Sequence, residues 1–259
     1  MYYINSILIA IILFISMVAA IEIGYRIGLK KKEIANEASK AHLNSIQASV
    51  IGILALLLGF TFSLSLQRYD SRSEAVVDEA NAIGTAYLRA QLLPTSLRAN
   101  VQDVLRQYVD LRAQESKVSL SDSQVREVLL VKTTTTQSAL WDYAKQATEI
   151  DPNPVKTGLF IQALNEVIDS FGKRNAGINR HVPELILLLV YATFLLAGVI
   201  LGFTSGVAGH RPSMASYFMV ILIVILVYII LDLDRPRRGL IEVTQAPLLE
   251  LQSSLSSPR

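Results

Sequence analysis

Apolar and polar positions in this chain segregate into long blocks. Four apolar blocks approach the roughly 20 residues that a helix needs to cross a bilayer at about 1.5 Å per residue. The first runs from Tyr2 to Ile21, interrupted only by Asn5, Ser6 and Ser16. The second, Ile46 to Leu66, holds no charge; the third, Pro183 to Ser205, carries Glu184 in its first turn. The fourth runs from Met214 to Leu231 and stops at Asp232. Val18-Ala19-Ala20 resembles a signal cleavage site, yet Met1 to Ser6 has no positive side chain and the run outlasts a usual signal core. Retention as a membrane helix is expected.

Gln67 to Val182 is polar, and its periodicity is helical. Val76, Ala80, Ile83 and Tyr87 form an apolar line that continues the second span, so a single helix is expected from about Ser45 to Leu93, before Pro94. A second helix starts at Thr95 or Ser96, both plausible N-caps, and carries Val101, Val104, Leu105, Tyr108 and Leu111. A third, from Ser121 or Asp122, carries Val125, Val128, Leu129, Leu140, Tyr143 and Ala147. Thr133 to Thr136 weaken its propensity and are expected in solvent, a kink or polar lining being the alternative. After Asp151-Pro152-Asn153-Pro154, a fourth presents Leu159, Ala163, Leu164, Val167, Ile168 and Phe171. The expected fold is all-α: a polytopic membrane protein with four transmembrane helices and a helical bundle between helices 2 and 3. The divisions are 1–66, 67–182, 183–231 and a polar tail, 232–259.

Composition removes several classes of function. Hydrophobic residues make up 51% and charged residues 18%, as in a membrane protein. The 24 Lys+Arg nearly balance 22 Asp+Glu, which argues against a nucleic-acid partner. Without cysteine there is no disulfide, thiolate nucleophile or Cys-ligated metal. His42, His181 and His210 lack metal-ligand spacing, and no P-loop, GxGxxG, GxSxG or paired-carboxylate motif occurs. Neither an enzyme nor a cofactor is expected. The near absence of charge inside the spans argues against a pump or ion-coupled transporter.

Charge near the spans points both ways on orientation. The first loop holds Arg26, Lys30, Lys31, Lys32 and Lys40 against Glu22, Glu33 and Glu37, with His210 and Arg211 on the same side. Opposite them are Arg68, Arg72, Lys173, Arg174, Arg180, Arg235, Arg237 and Arg238. The first helix usually dominates, which places the lysine cluster in the cytoplasm and the helical block outside.

Small residues mark two packing faces: Ala48, Gly52, Ala55, Gly59 and Ser63 on span two, and Gly198, Gly202 and Gly206 on span three. Helix packing within one subunit accounts for such faces. Alternatively, span two surrounds a symmetry axis and lines a pore, with either Leu54, Leu58 and Phe62 or Leu56, Phe60 and Leu64 forming hydrophobic rings. A polar collar is expected where spans two and four end, from Arg68, Arg72, Asp232, Asp234, Arg235 and Arg237. Such a collar serves either as a register-fixing junction or as an ion vestibule.

GFTFSLSLQRYDSRSEAVVDEANAIGTAYLRAQLLP (Gly59 to Pro94) and LDLDRPRRGLIEVTQAPL (Leu231 to Leu248) resemble the bestrophin-like family of bacterial membrane proteins. That family bears a remote likeness to bestrophins, pentameric chloride channels with four spans per subunit whose second span lines a hydrophobic neck. The resemblance implies a homo-oligomer in the bacterial cell membrane, a pentamer by analogy, passing chloride or other small ions. Its neck would correspond to Ala55 to Leu66, with Phe60 and Phe62. The acidic calcium clasp of animal bestrophins has no counterpart here, and bestrophins keep the large block in the cytosol, opposite to the charge-based orientation. The alternative function is a membrane-anchored helical sensor or scaffold without conductance.

Overall fold

The computed structural model describes residues 6–33, 36–119, 122–153, 155–235 and 240–256. Among them the regular structure is helical: α1 (Ser6–Leu29), α2 (Glu37–Arg89), a 3₁₀ turn (Ala90–Leu92), α3 (Thr95–Lys117), α4 (Ser123–Ile150), α5 (Lys156–Asn179), α6 (Glu184–Ala208), α7 (Met214–Asp234) and α8 (Ala246–Ser256). Four helical stretches are long and apolar enough to cross a membrane. The chain forms two compact units, one of residues 1–68 and 181–235, the other of 69–180 and 236–259.

The first unit packs on an apolar core that includes Met17, Ile21, Leu54, Leu58, Phe194 and Val220. Within it α1 and α6 run parallel, because Met17, Ile21 and Tyr25 meet Gly198, Gly202 and Gly206 in turn. A Cβ on Gly202 would strike the Ile21 carbonyl, and one on Gly24 the Val199 carbonyl. Glycine is needed at both positions because backbone meets backbone there. This packing carries α1 on to Leu29, past the expected end at Ile21. The Arg26–Glu22 pair, at 2.8 Å, spans one turn of the extension.

Helix α2 starts well before the expected Ser45. Asn36 accepts a hydrogen bond from the Ser39 amide at 2.8 Å. It acts as an N-cap that a polar stretch without periodicity conceals. Helix α2 has 53 residues. At the helical rise it is about 80 Å long. It ends at Arg89, short of Leu93, because the 3₁₀ turn precedes extended Leu93 and Pro94. Pro94, not Thr95 or Ser96, occupies the N-cap of α3. Asp122 caps α4 by accepting from the Val125 amide at 3.2 Å, whereas Ser121 and Pro154 lie outside the described residues. The threonine run does not break α4, which is continuous through it, and each hydroxyl donates to a carbonyl one turn earlier. Thr133 is buried, contrary to the expected exposure, because the core seam passes through it.

The second unit is a bundle of the Tyr69–Arg89 part of α2 with α3, α4, α5 and α8. Val76, Ile83, Val101, Leu105, Tyr108, Leu140, Phe160, Leu164 and Val167 form its core. Leu248 of α8 is also in it, fully buried, with Leu251 and Leu255 against the same cluster. Helix α8 is therefore a folded piece of the bundle. Leu159, expected on the inner face of α5, is exposed, as are Val125 and Val128 in the apolar series of α4. At the start of α4 the bundle offers no neighbour to cover Val125 and Val128.

Candidate functional site

On α2 the hydrophobic positions divide among three faces. Leu54 and Leu58 point into the first unit's core at 2% and 3% exposure, and Phe62 packs partly buried against it. Gly52 and Gly59 lie on a second face, where an added Cβ would meet nothing within 4 Å. A third face carries Ile53, Leu56, Phe60 and Leu64, all exposed, Phe60 at 62%. Of the two candidate rings, Leu54, Leu58 and Phe62 are occupied by core packing. Leu56, Phe60 and Leu64 remain on the surface of the protomer.

The collar residues have distinct roles. Asp234 accepts from the Val182 amide at 3.0 Å and stands 3.4 Å from His181 Nδ1. A carboxylate at the C-terminus of α7 opposes the helix dipole, and these contacts offset that by tying α7 to the start of α6. Asp232 and Arg235 are also buried in this unit. Arg68 belongs to the same unit; its Nε, like the hydroxyl of buried Ser65, has no hydrogen-bond partner among the described residues. Arg72 belongs to the second unit, donating through Nε to the Gly177 carbonyl at 3.0 Å and through Nη2 to that of Arg180 at 2.7 Å. Arg72 thus closes the end of α5. Arg237 lies outside the described residues.

Sequence reasoning missed a buried charge network in the second unit. Arg112 Nε donates to Glu79 at 2.6 Å, and Arg174 pairs with the other Glu79 oxygen. Arg112 also pairs with Glu115 and stands 4.7 Å from the centre of the Phe171 ring. Arg174 reaches Gln245 of the C-terminal segment at 2.6 Å. Two acids thus face two bases, in a buried setting. Burial by itself would raise the Glu79 carboxyl, but Arg112 and Arg174 together hold it below the ordinary carboxylate range. Burial pushes the Tyr108 phenol upward, with the Glu79 charge adding to it. A signal existed: Arg72, Val76, Glu79 and Ile83 follow alternate steps of four and three, as do Val101, Leu105, Tyr108 and Arg112. Charges on an apolar seam have to find partners or neutralise.

No metal-holding group of His, Asp or Glu occurs among the described residues. The geometry defines a class: a helical membrane protein with four candidate spans and an extramembrane helical bundle knit by buried ion pairs. A family model for the bestrophin-like domain matches residues 29–248, and the chain belongs to that family. A variant of a bacterial bestrophin homologue from Klebsiella pneumoniae is 17% identical over 95% of this chain and 97% of its own, with a TM-score of 0.67. A second variant of that homologue is 16% identical over 93% and 96%, with a TM-score of 0.61. A structure described only as a membrane protein is 16% identical over 94% and 97%, again with a TM-score of 0.67. At these identities the likeness is one of fold. A comparison with curated protein sequences finds no match.

Proposed function

We propose that the protein is an ion channel of the cell membrane, assembled from several copies around α2. The observation that carries this reading is the exposed line Leu56–Phe60–Leu64, bulky and apolar, on a membrane helix of a bestrophin-like chain. Facing an axis, such a line makes hydrophobic rings one turn apart that gate by wetting and drying. The open space at Gly52 and Gly59 suits close approach of a neighbouring copy's helix. By analogy with bestrophins the assembly is a pentamer and the permeant ions are small anions, chloride among them. A membrane-anchored scaffold is the second reading, favoured by the exposed Val125, Val128 and Val131 on α4, which offer a partner an apolar face.

Reconstitution into planar bilayers distinguishes the two. As a channel, the purified oligomer carries current, and Phe60→Ala alters single-channel conductance or leak severalfold. Leu58→Ala, acting in the core, lowers thermal stability instead. A folded oligomer that carries no current would sink the channel reading.

A further inference from the structure

One end of the membrane-spanning unit carries surplus positive charge. There the α1–α2 and α6–α7 turns lie together. The Lys32 side chain lies over Gly209, which ends α6 at φ 80°, and the Arg211 guanidinium stands 5.4 Å from the centre of the Tyr25 ring. Residues 22–42 and 209–213 contain Arg26, Lys30, Lys31, Lys32, Lys40 and Arg211 against Glu22, Glu33 and Glu37. Glu22 is taken up by Arg26 at 2.8 Å and Glu37 by Lys40 at 2.7 Å, although the Glu22 charge also attracts Arg211. Among the described residues, Lys30, Lys31, Lys32 and Arg211 form no ion pair within 4.0 Å and are exposed.

Helix dipoles explain part of this, since α1 and α6 both direct C-terminal carbonyls toward these cations. They do not explain the surface that follows. Just beyond Arg211, Met214 begins an outward line on α7 that continues through Phe218 and Leu222, at 75%, 63% and 67% exposure. Cations at the head of an exposed apolar strip match an amphiphile with an anionic head and hydrocarbon tail.

We infer that the Lys30–Lys32 turn and Arg211 bind the phosphate headgroup of an anionic phospholipid, whose acyl chain lies along Met214, Phe218 and Leu222. The guanidinium suits paired phosphate oxygens and the ammonium groups supply point charges. The site does not depend on conduction and would serve a scaffold equally.

Native mass spectrometry tests it with full-length protein released from nanodiscs of equal parts phosphatidylglycerol and phosphatidylcholine, with matched acyl chains. Phosphatidylglycerol should be retained in preference, by roughly fivefold for each cation that engages it. Arg211→Gln, and separately Lys30→Gln with Lys31→Gln, should bring retention toward parity while circular dichroism shows unchanged helix content. Lys132→Gln, on the second unit, should leave the preference intact. Equal retention of both lipids by the unaltered protein, or a preference that survives both variants, overturns the assignment. Thermal protection by inorganic phosphate equal to that from phosphatidylglycerol vesicles would assign the cluster to a free anion and overturn the lipid reading.

Discussion

Glu79 shows how much a single carboxylate holds in place. Arg112 donates to both of its oxygens and Arg174 shares one of them, all three side chains nearly inaccessible to water. A neutral exchange of such a network for apolar residues is often tolerated, but loss of one member leaves uncompensated charge in the core. Glu79→Ala should therefore destabilise the second unit by about 3–5 kcal/mol, read as a lowered unfolding midpoint in detergent. Glu79→Gln, which can still accept from a guanidinium, should cost less. Equal midpoints for Glu79→Ala and the unaltered protein would deny the network a role in stability. The acid limb follows from the sign of the shift. The folded-state pKa lies below the ordinary 4.5, so the stabilisation is fully present above that value and is lost as pH falls through the folded-state pKa. Helix content should hold from about pH 7 to pH 5, and the Glu79 contribution should disappear only below about pH 4.5. The charged seam positions were visible in the sequence; which charges met was not, because Arg112 and Arg174 lie 33 and 95 residues from Glu79.

Among the helices, the glycine lines on α2 and α6 look equivalent in sequence and differ in the fold. The α6 line is filled by α1, backbone against backbone, whereas Gly52 and Gly59 face open space. Gly202→Ala should force α1 and α6 apart, seen as a loss of folded, monodisperse protein. Gly59→Ala should leave the protomer folded. If a second copy packs on that face, Gly59→Leu should weaken the assembly, seen by size exclusion with light scattering. Equal tolerance at Gly202 and Gly59 would contradict this division. Local cues were also uneven: the Asp151–Pro154 break is readable from turn chemistry, but the Asn36 cap lies beyond any apolar periodicity.

The whole molecule joins a membrane part to a polar bundle, and its orientation is testable because the chain has no cysteine. From the lysine-rich first loop, the bundle is expected outside the cytoplasm. A single cysteine at exposed Thr135 should then react in intact cells with a membrane-impermeant maleimide, and one at exposed Lys31 only after lysis. The reverse labelling pattern would place the bundle in the cytosol.

The sequence alone determined the helical class and the four spans, because bilayer thickness and backbone hydrogen bonding demand long uncharged helices that composition reveals directly. Only the tertiary structure decided which face of α2 remains uncovered, with Leu54 and Leu58 in the core and Phe60 on the surface. A helix apolar on all sides carries no mark of its neighbours. The fold likewise decided that Leu248 and Gln245 of the tail complete the bundle. Those contacts join residues far apart in the chain, and no local pattern encodes them. The fold also brought Lys32 against Gly209 and Arg211 against Tyr25, which gathers the basic residues of two separate segments at the head of the apolar strip on α7.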